Sequence, residues 1–212
     1  MISRRYPICS ALSLCLVLLM IGCSATPPPQ DQFYRLEPEP VTVPAKQIST
    51  GTILVTQLNA RGFSGGARIV FRDNVDRLRV QRYRNRLWSD PPAAMIQDAI
   101  VQALRAEHIA EYVITPAERA NANWIVSGTL FRIEHLRDVN QVNIEFELGL
   151  INAQNRKTVF QHGYSQAESA EDTSMASVVA AFNLVLAQLI ATAVKDIGVV
   201  VAECTQQASA CR

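Results

Sequence analysis

The chain has 212 residues, 20 Lys+Arg against 19 Asp+Glu, and five cysteines. So even a charge balance gives no electrostatic footprint for nucleic acid or another polyanion. The length accommodates one α/β or α+β domain with a substantial core.

Arg4 and Arg5 form a positive head, and Ile8 to Ile21 is an uncharged, largely apolar run ending at Gly22-Cys23. A charged head, a short apolar stretch and a small-residue exit form the layout of a secretory signal peptide, here residues 1–22. The run is too short for a spanning helix, which needs about 20 apolar residues. Leu19-Met20-Ile21-Gly22-Cys23 resembles the bacterial lipobox, with Met20 where leucine is usual. The resemblance implies that Cys23 is acylated and becomes the first mature residue. The residues leave open an ordinary signal peptide, or an anchor with a chance cysteine. Ser3-Arg4-Arg5 resembles a twin-arginine signal, but Tyr6-Pro7 breaks that pattern. One acyl chain binds a membrane reversibly and two hold it stably, so an acylated chain stands on the surface without spanning it. Ser24 occupies the position where, in many Gram-negative bacteria, aspartate retains a lipoprotein at the inner membrane. Its absence implies the outer membrane.

Loss of residues 1–22 removes Cys9 and Cys15, leaving Cys204 and Cys211 besides Cys23. In an oxidising compartment these two can close the tail by a disulfide or remain free thiols. Neither lies in a zinc-ligand spacing, and no metal or cofactor is expected.

Residues 23–50 read as a tether, with Pro27-Pro28-Pro29 and a second proline-rich stretch from Pro38 to Pro44. Between them Phe33-Tyr34-Arg35-Leu36 is an apolar island, expected as a short docked edge strand near 33–36. The domain proper is expected over 51–200, with 201–212 as a tail. Thr52 to Leu58 is β-branched and reads as a strand, 59–67 as a loop, and Arg68 to Arg72 and Leu78 to Val80 as strands around an Asp73-Asn74 turn. Gln81 to Trp88 is a further strand, with Tyr83 and Leu87 as its anchors.

Asp90-Pro91-Pro92 opens a helix, with Asp90 as expected cap and Met95, Ile96, Ala99, Ile100, Ala103 and Leu104 on its buried face. Tyr112 to Ile114 is a short strand. Trp124 to His135 is strand-like, and Val142, Ile144, Phe146, Leu148 and Leu150 alternate with Asn143, Glu145, Glu147 and Gly149. That period of two gives one inward and one wet face. With Thr158 to Tyr164 returning, 124–166 reads as a three-stranded antiparallel meander. A helix over 173–197 carries Met175, Val178, Val179, Phe182, Val185, Leu186, Leu189, Ile190 and Ala193 on one stripe. No charge falls between Asp172 and Lys195, so a transmembrane helix is the rival reading. Polar Ser174, Ser177, Asn183, Gln188 and Thr192 favour a helix packed across a sheet.

Gly62-Phe63-Ser64-Gly65-Gly66 fits G-x-S-x-G, but a nucleophile elbow needs a helix after the serine, and a strand pattern follows here. Asp138 and His162 could be nominated as partners in any chain of this length. His108, His135 and His162 share no motif and read as partly exposed polar residues. Glu145 and Glu147 read as a solvated strand face rather than an acid–base pair. No G-x-x-x-x-G-K-[ST] string occurs. No catalytic or metal residues are assigned, and the chain does not read as an enzyme.

The lipobox, the proline tether, Phe33-Tyr34-Arg35-Leu36, Ile53-Leu54-Val55, Leu87-Trp88-Ser89-Asp90-Pro91-Pro92, Tyr112-Val113, Trp124-Ile125-Val126-Ser127-Gly128 and a final alanine-rich helix follow in order. Taken together they resemble the ABC-type transport auxiliary lipoprotein family, which includes the outer-membrane lipoprotein of the paraquat-inducible, MCE-type transport system. The Cys204/Cys211 tail is outside that pattern. The resemblance implies a compact α/β domain with a mixed sheet and two main helices. It implies a non-catalytic partner of an inner-membrane ABC transporter with MCE subunits, facing the periplasm and serving phospholipid or other lipid transport. Phe33, Tyr34, Leu36, Trp88, Pro91 and Pro92 are candidate partner contacts, since aromatics beside flexible segments anchor interfaces. Core packing is the competing role for Tyr34 and Trp88. Two other functions suit the same anchor: binding lipid in a groove between the 173–197 stripe and the 124–166 sheet, or acting on cell-wall enzymes.

Overall fold

The structure is a computed structural model, and it describes residues 29–39, 48–49, 51–73, 76 and 78–207. The signal segment, Cys23 and Cys211 lie outside the described residues. The chain divides into Met1–Gln30 and Asp31–Arg212; the architecture below is that of the second unit.

Its strands are β1 (Gln32–Tyr34), β2 (Thr52–Val55), β3 (Asn59–Ala60), β4 (Arg68–Arg72), β5 (Val80–Trp88), β6 (Tyr112–Ile114), β7 (Trp124–Leu136), β8 (Gln141–Asn152) and β9 (Thr158–Ser169). The helices are α1 (Pro92–Ala106) and α2 (Met175–Gln206). The result is one α/β domain with a mixed sheet and two helices.

The spine is β7. One edge pairs antiparallel with β8 from Trp124↔Asn152 to Leu136↔Gln141, and β8 pairs antiparallel with β9. The expected meander is therefore present and runs on to Ser169. The other edge of β7 is shared by three parallel strands in succession: β2 at Trp124, β3 at Thr129 and β4 at Glu134. Beyond β2 lies β6, and beyond β4 lie β5 and then β1, so the sheet forks on this side. β1 is an edge strand, parallel to β5 through Phe33↔Leu87.

A bulge in β7 explains its side-chain pattern. The register shifts between Leu130 and Arg132, making Phe131 the extra residue. Trp124, Val126 and Leu130 are buried before it, and Ile133 and His135 after it. One inserted residue turns the alternation over. The inner face then continues across β8, where Val142, Ile144, Phe146, Leu148 and Leu150 are all fully buried.

α2 lies across β8 and β9 and packs beside α1, which covers β2 and β6. Its N-cap Ser174 accepts a hydrogen bond from the Ser177 amide at 3.2 Å. The predicted stripe is buried from Val178 to Ala193, and the helix continues through buried Ile197 and Val201 to Gln206. α2 is long and apolar enough to cross a membrane, with an 18-residue stretch of mean hydropathy 2.0. Its apolar side chains instead fill the space between the sheet and α1.

Three local expectations are corrected. The N-cap of α1 is Pro91, without a side-chain cap bond. The chain is still held by the sheet at Ser89, whose amide donates to the Tyr34 carbonyl, so Asp90 sits one residue too early and accepts from the Ser89 hydroxyl instead. Leu78 is 94% exposed and β5 starts at Val80. The 59–67 loop contains β3 and a 3-10 turn over Gly62–Gly65.

Candidate interface and anchoring residues

The six proposed contact residues do not form one surface. Phe33 projects from the β1 edge at 64% exposure, and Pro91 is exposed. Tyr34 is half-buried, and its hydroxyl donates to Gln32 Oε1 at 2.9 Å and accepts from Arg86 Nη1 at 2.8 Å. Leu36, Pro92 and Trp88 are buried. The Trp88 indole meets Phe182 of α2 edge-on at 5.6 Å. Such a pair fastens β5 to α2 and leaves nothing for a partner. Exposure reduces the candidate patch to Phe33, Pro91 and part of Tyr34.

Ser64 is buried in its 3-10 turn and donates to the Phe131 carbonyl at 3.2 Å. β4 follows it, not a helix. Gly62 adopts φ +56°, the left-handed conformation that explains a glycine there. Its string is thus a turn clipped onto the β7 bulge. Glu145 pairs with Arg132 at 3.3 Å across β7 and β8, as befits a wet strand face. No group of three His, Cys, Asp or Glu able to hold a metal occurs among the described residues.

His135 departs from expectation. His108 and His162 are exposed, but His135 is buried at 3%. Its Nδ1 lies 2.8 Å from the Tyr83 hydroxyl, and its Nε2 lies 3.3 Å from Asn140 Oδ1. Asn140 Nδ2 donates to the Ala170 and Asp172 carbonyls, which leaves its oxygen to face the ring. This assigns the proton to Nε2 and makes Nδ1 the acceptor. On the face this ring shares with Phe71 and Tyr83, Arg137 pairs with Asp73 at 2.9 Å and Gln81 donates to Asp73 at 2.9 Å, while Arg72 pairs with Glu134 at 2.9 Å on the opposite face. Parallel pairing of β4 with β7 brings each ion pair together.

Burial pushes the His135 imidazolium below its ordinary pKa, the Arg137 charge adds to this, and the Asn140 bond opposes it. The unfolded chain therefore binds that proton more readily than the folded one. The contribution to stability is complete above the ordinary histidine value of about 6.5 and declines as pH falls below it. Urea midpoints at pH 7.5 and 5.0 are expected to fall on acidification, and by less in His135→Gln.

An open groove of about 770 Å³ lies along α2, lined by Ile48, Ile109, Val194 and Val199, with Glu107 and Lys195 also in its wall. Gly198 permits it, since a Cβ there would stand 2.9 Å from Ile109 Cδ1. The groove expected between the α2 stripe and the sheet is instead closed by Phe146, Leu148, Val185 and Leu186. At the end of α2, Cys204 is buried and disulfide-bonded.

The fold defines a single-domain α/β protein with a forked mixed sheet and two helices. The family model for the ABC-type transport auxiliary lipoprotein component matches residues 34–194, and the chain belongs to that family. The crystal structure of XCC0632 from Xanthomonas campestris is similar, with a TM-score of 0.75 at 20% identity, covering 83% of this chain and 100% of that one. An uncharacterized protein of known structure matches with a TM-score of 0.61 at 15% identity, covering 80% of this chain and 97% of its own. At these identities the likeness concerns the fold. No curated protein matches the chain.

Proposed function

We propose that this chain is a non-catalytic auxiliary subunit of an MCE-type ABC transport system. It is anchored through acylated Cys23 in the inner leaflet of the outer membrane and holds its domain in the periplasm to dock the transporter's MCE assembly, for lipid or intermembrane transport. The observation that carries the reading is the family match over 34–194 lying directly behind a lipobox-like leader and a proline-rich tether. A tether of that kind raises the local concentration of its partner without adding a contact. The sequence has no phosphate loop, which suits a subunit that leaves ATP hydrolysis to its partner.

Cys23→Ser is expected to move the protein from the membrane fraction to the soluble periplasmic fraction. Intact-mass measurement of the wild type should give a mature chain beginning at Cys23 with acyl additions. An unmodified thiol there, or a serine variant still in the membrane, contradicts the anchor.

Direct handling of lipid is a second reading, and the groove at Ile109 and Val199 is the observation in its favour. Lipid extracted from the purified protein and identified by mass spectrometry is the expected result on that reading, and an empty protein counts against it.

A further inference from the structure

We propose that β9 is a homodimerisation edge, on which a second copy of this chain adds its own β9 antiparallel across a two-fold axis at Ser165. The ladder shows which backbone groups are available. The Ala170 amide donates to the Asn140 carbonyl, in register with Gln141↔Ser169. In an antiparallel ladder bonded and non-bonded pairs alternate. The residues bonded to β8 are therefore Phe160, His162, Tyr164, Gln166 and Glu168. Gln161, Gly163, Ser165, Ala167 and Ser169 turn their N–H and C=O groups outward. Among the described residues, these outward groups have no backbone partner, and only the Ser169 amide meets a side chain, Glu168 Oε1 at 3.3 Å.

An edge of 12 residues with open backbone groups is a template for another strand, and proteins ordinarily block such edges with proline, lysine or a bulge. β9 contains no proline, lysine or arginine. Its one register irregularity lies at its start, opposite Leu150 and Ile151. All five outward residues are exposed, and none is charged.

The edge is also complementary to itself. A two-fold axis at Ser165 sets Gln161 against the partner's Ser169, Gly163 against the partner's Ala167, and Ser165 against the partner's Ser165. On the other face His162 stands across from the partner's Glu168, and the contact occurs twice by symmetry. An isologous interface requires such reciprocal pairs, and an imidazole N–H facing a carboxylate across the strands favours the register. No like charges oppose one another.

The test uses the full chain in mild detergent. Directly opposed residues of a bonded antiparallel pair have Cα atoms about 5.5 Å apart, within disulfide reach. Ser165→Cys is expected to give a covalent dimer on mild oxidation, whereas wild type and Gln154→Cys, in the β8–β9 turn, are not. Sedimentation should give a wild-type dimer. Ser165→Pro removes an outward amide, which an edge strand tolerates, and should yield a folded monomer by circular dichroism and sedimentation. Glu168→His should weaken the dimer and the swap H162E/E168H should restore it. A wild-type monomer, cross-linking at residue 154 equal to that at 165, or a dimer surviving Ser165→Pro overturns the proposal. A monomer whose β9 instead captures a strand from another protein overturns it too.

Discussion

Phe182→Ala is expected to destabilise the domain by about 3–5 kcal/mol, a cost usual for removing a buried aromatic and leaving a cavity. Phe182 is fully buried near the start of α2 and stands edge-on to Trp88, itself the last residue of β5. The substitution therefore empties the seam where the forked half of the sheet meets the long helix. Domains are stable by only about 5–15 kcal/mol, so most of the folded population is at stake near 37 °C. The outcome also discriminates between the two readings of α2. A helix standing in lipid would lose little from one truncated side chain, because lipid tails refill the space. Chemical denaturation of wild type and variant measures the difference, and a change below about 1 kcal/mol would contradict the packed arrangement.

Gly128→Ala should be comparably damaging for a different reason. Gly128 pairs with Leu148 at the centre of the β7–β8 ladder. A Cβ at this position would fall 2.1 Å from the Glu147 carbonyl oxygen and 2.8 Å from Leu148 Cδ2. The nearest atom is backbone, so relief demands a shift of β8 rather than a rotamer change. Overpacking of a rigid core costs about 1–3 kcal/mol and more where backbone must move.

Much of this fold is legible in the chain because two elements have clean periods. The alternation from Val142 to Leu150 can satisfy only a strand with one buried face. The Met175–Ala193 stripe can satisfy only a helix with one. The fork was not legible. It depends on β2, β3 and β4 taking successive stretches of one edge of β7, and parallel pairing between distant segments leaves no local signature. The burial of His135 was hidden by the Phe131 bulge. An alternation read straight through β7 puts that ring on the wet face, and one inserted residue turns it inward.

The contact residues were harder still. Trp88 and Phe33 look equally eligible in a sequence, since both are aromatics beside proline-rich segments. The α2 helix makes the distinction by covering one and leaving the other at the β1 edge. Ser64 was legible as a turn residue, because Arg68 to Arg72 follows with a strand pattern where an elbow requires a helix. The ion pairs Arg72–Glu134 and Asp73–Arg137 gave no signal, as their members come from β4, β7 and the turns beyond them.

The central claim is that the anchored domain works as part of a transport complex. Affinity capture of the tagged chain from mildly solubilised envelopes, with a Cys23→Ser version in parallel, tests it most directly. The account predicts that subunits of one ABC transporter and its MCE component are recovered with the wild type and are depleted with the serine variant. Recovery of cell-wall enzymes without any transporter subunit would contradict it.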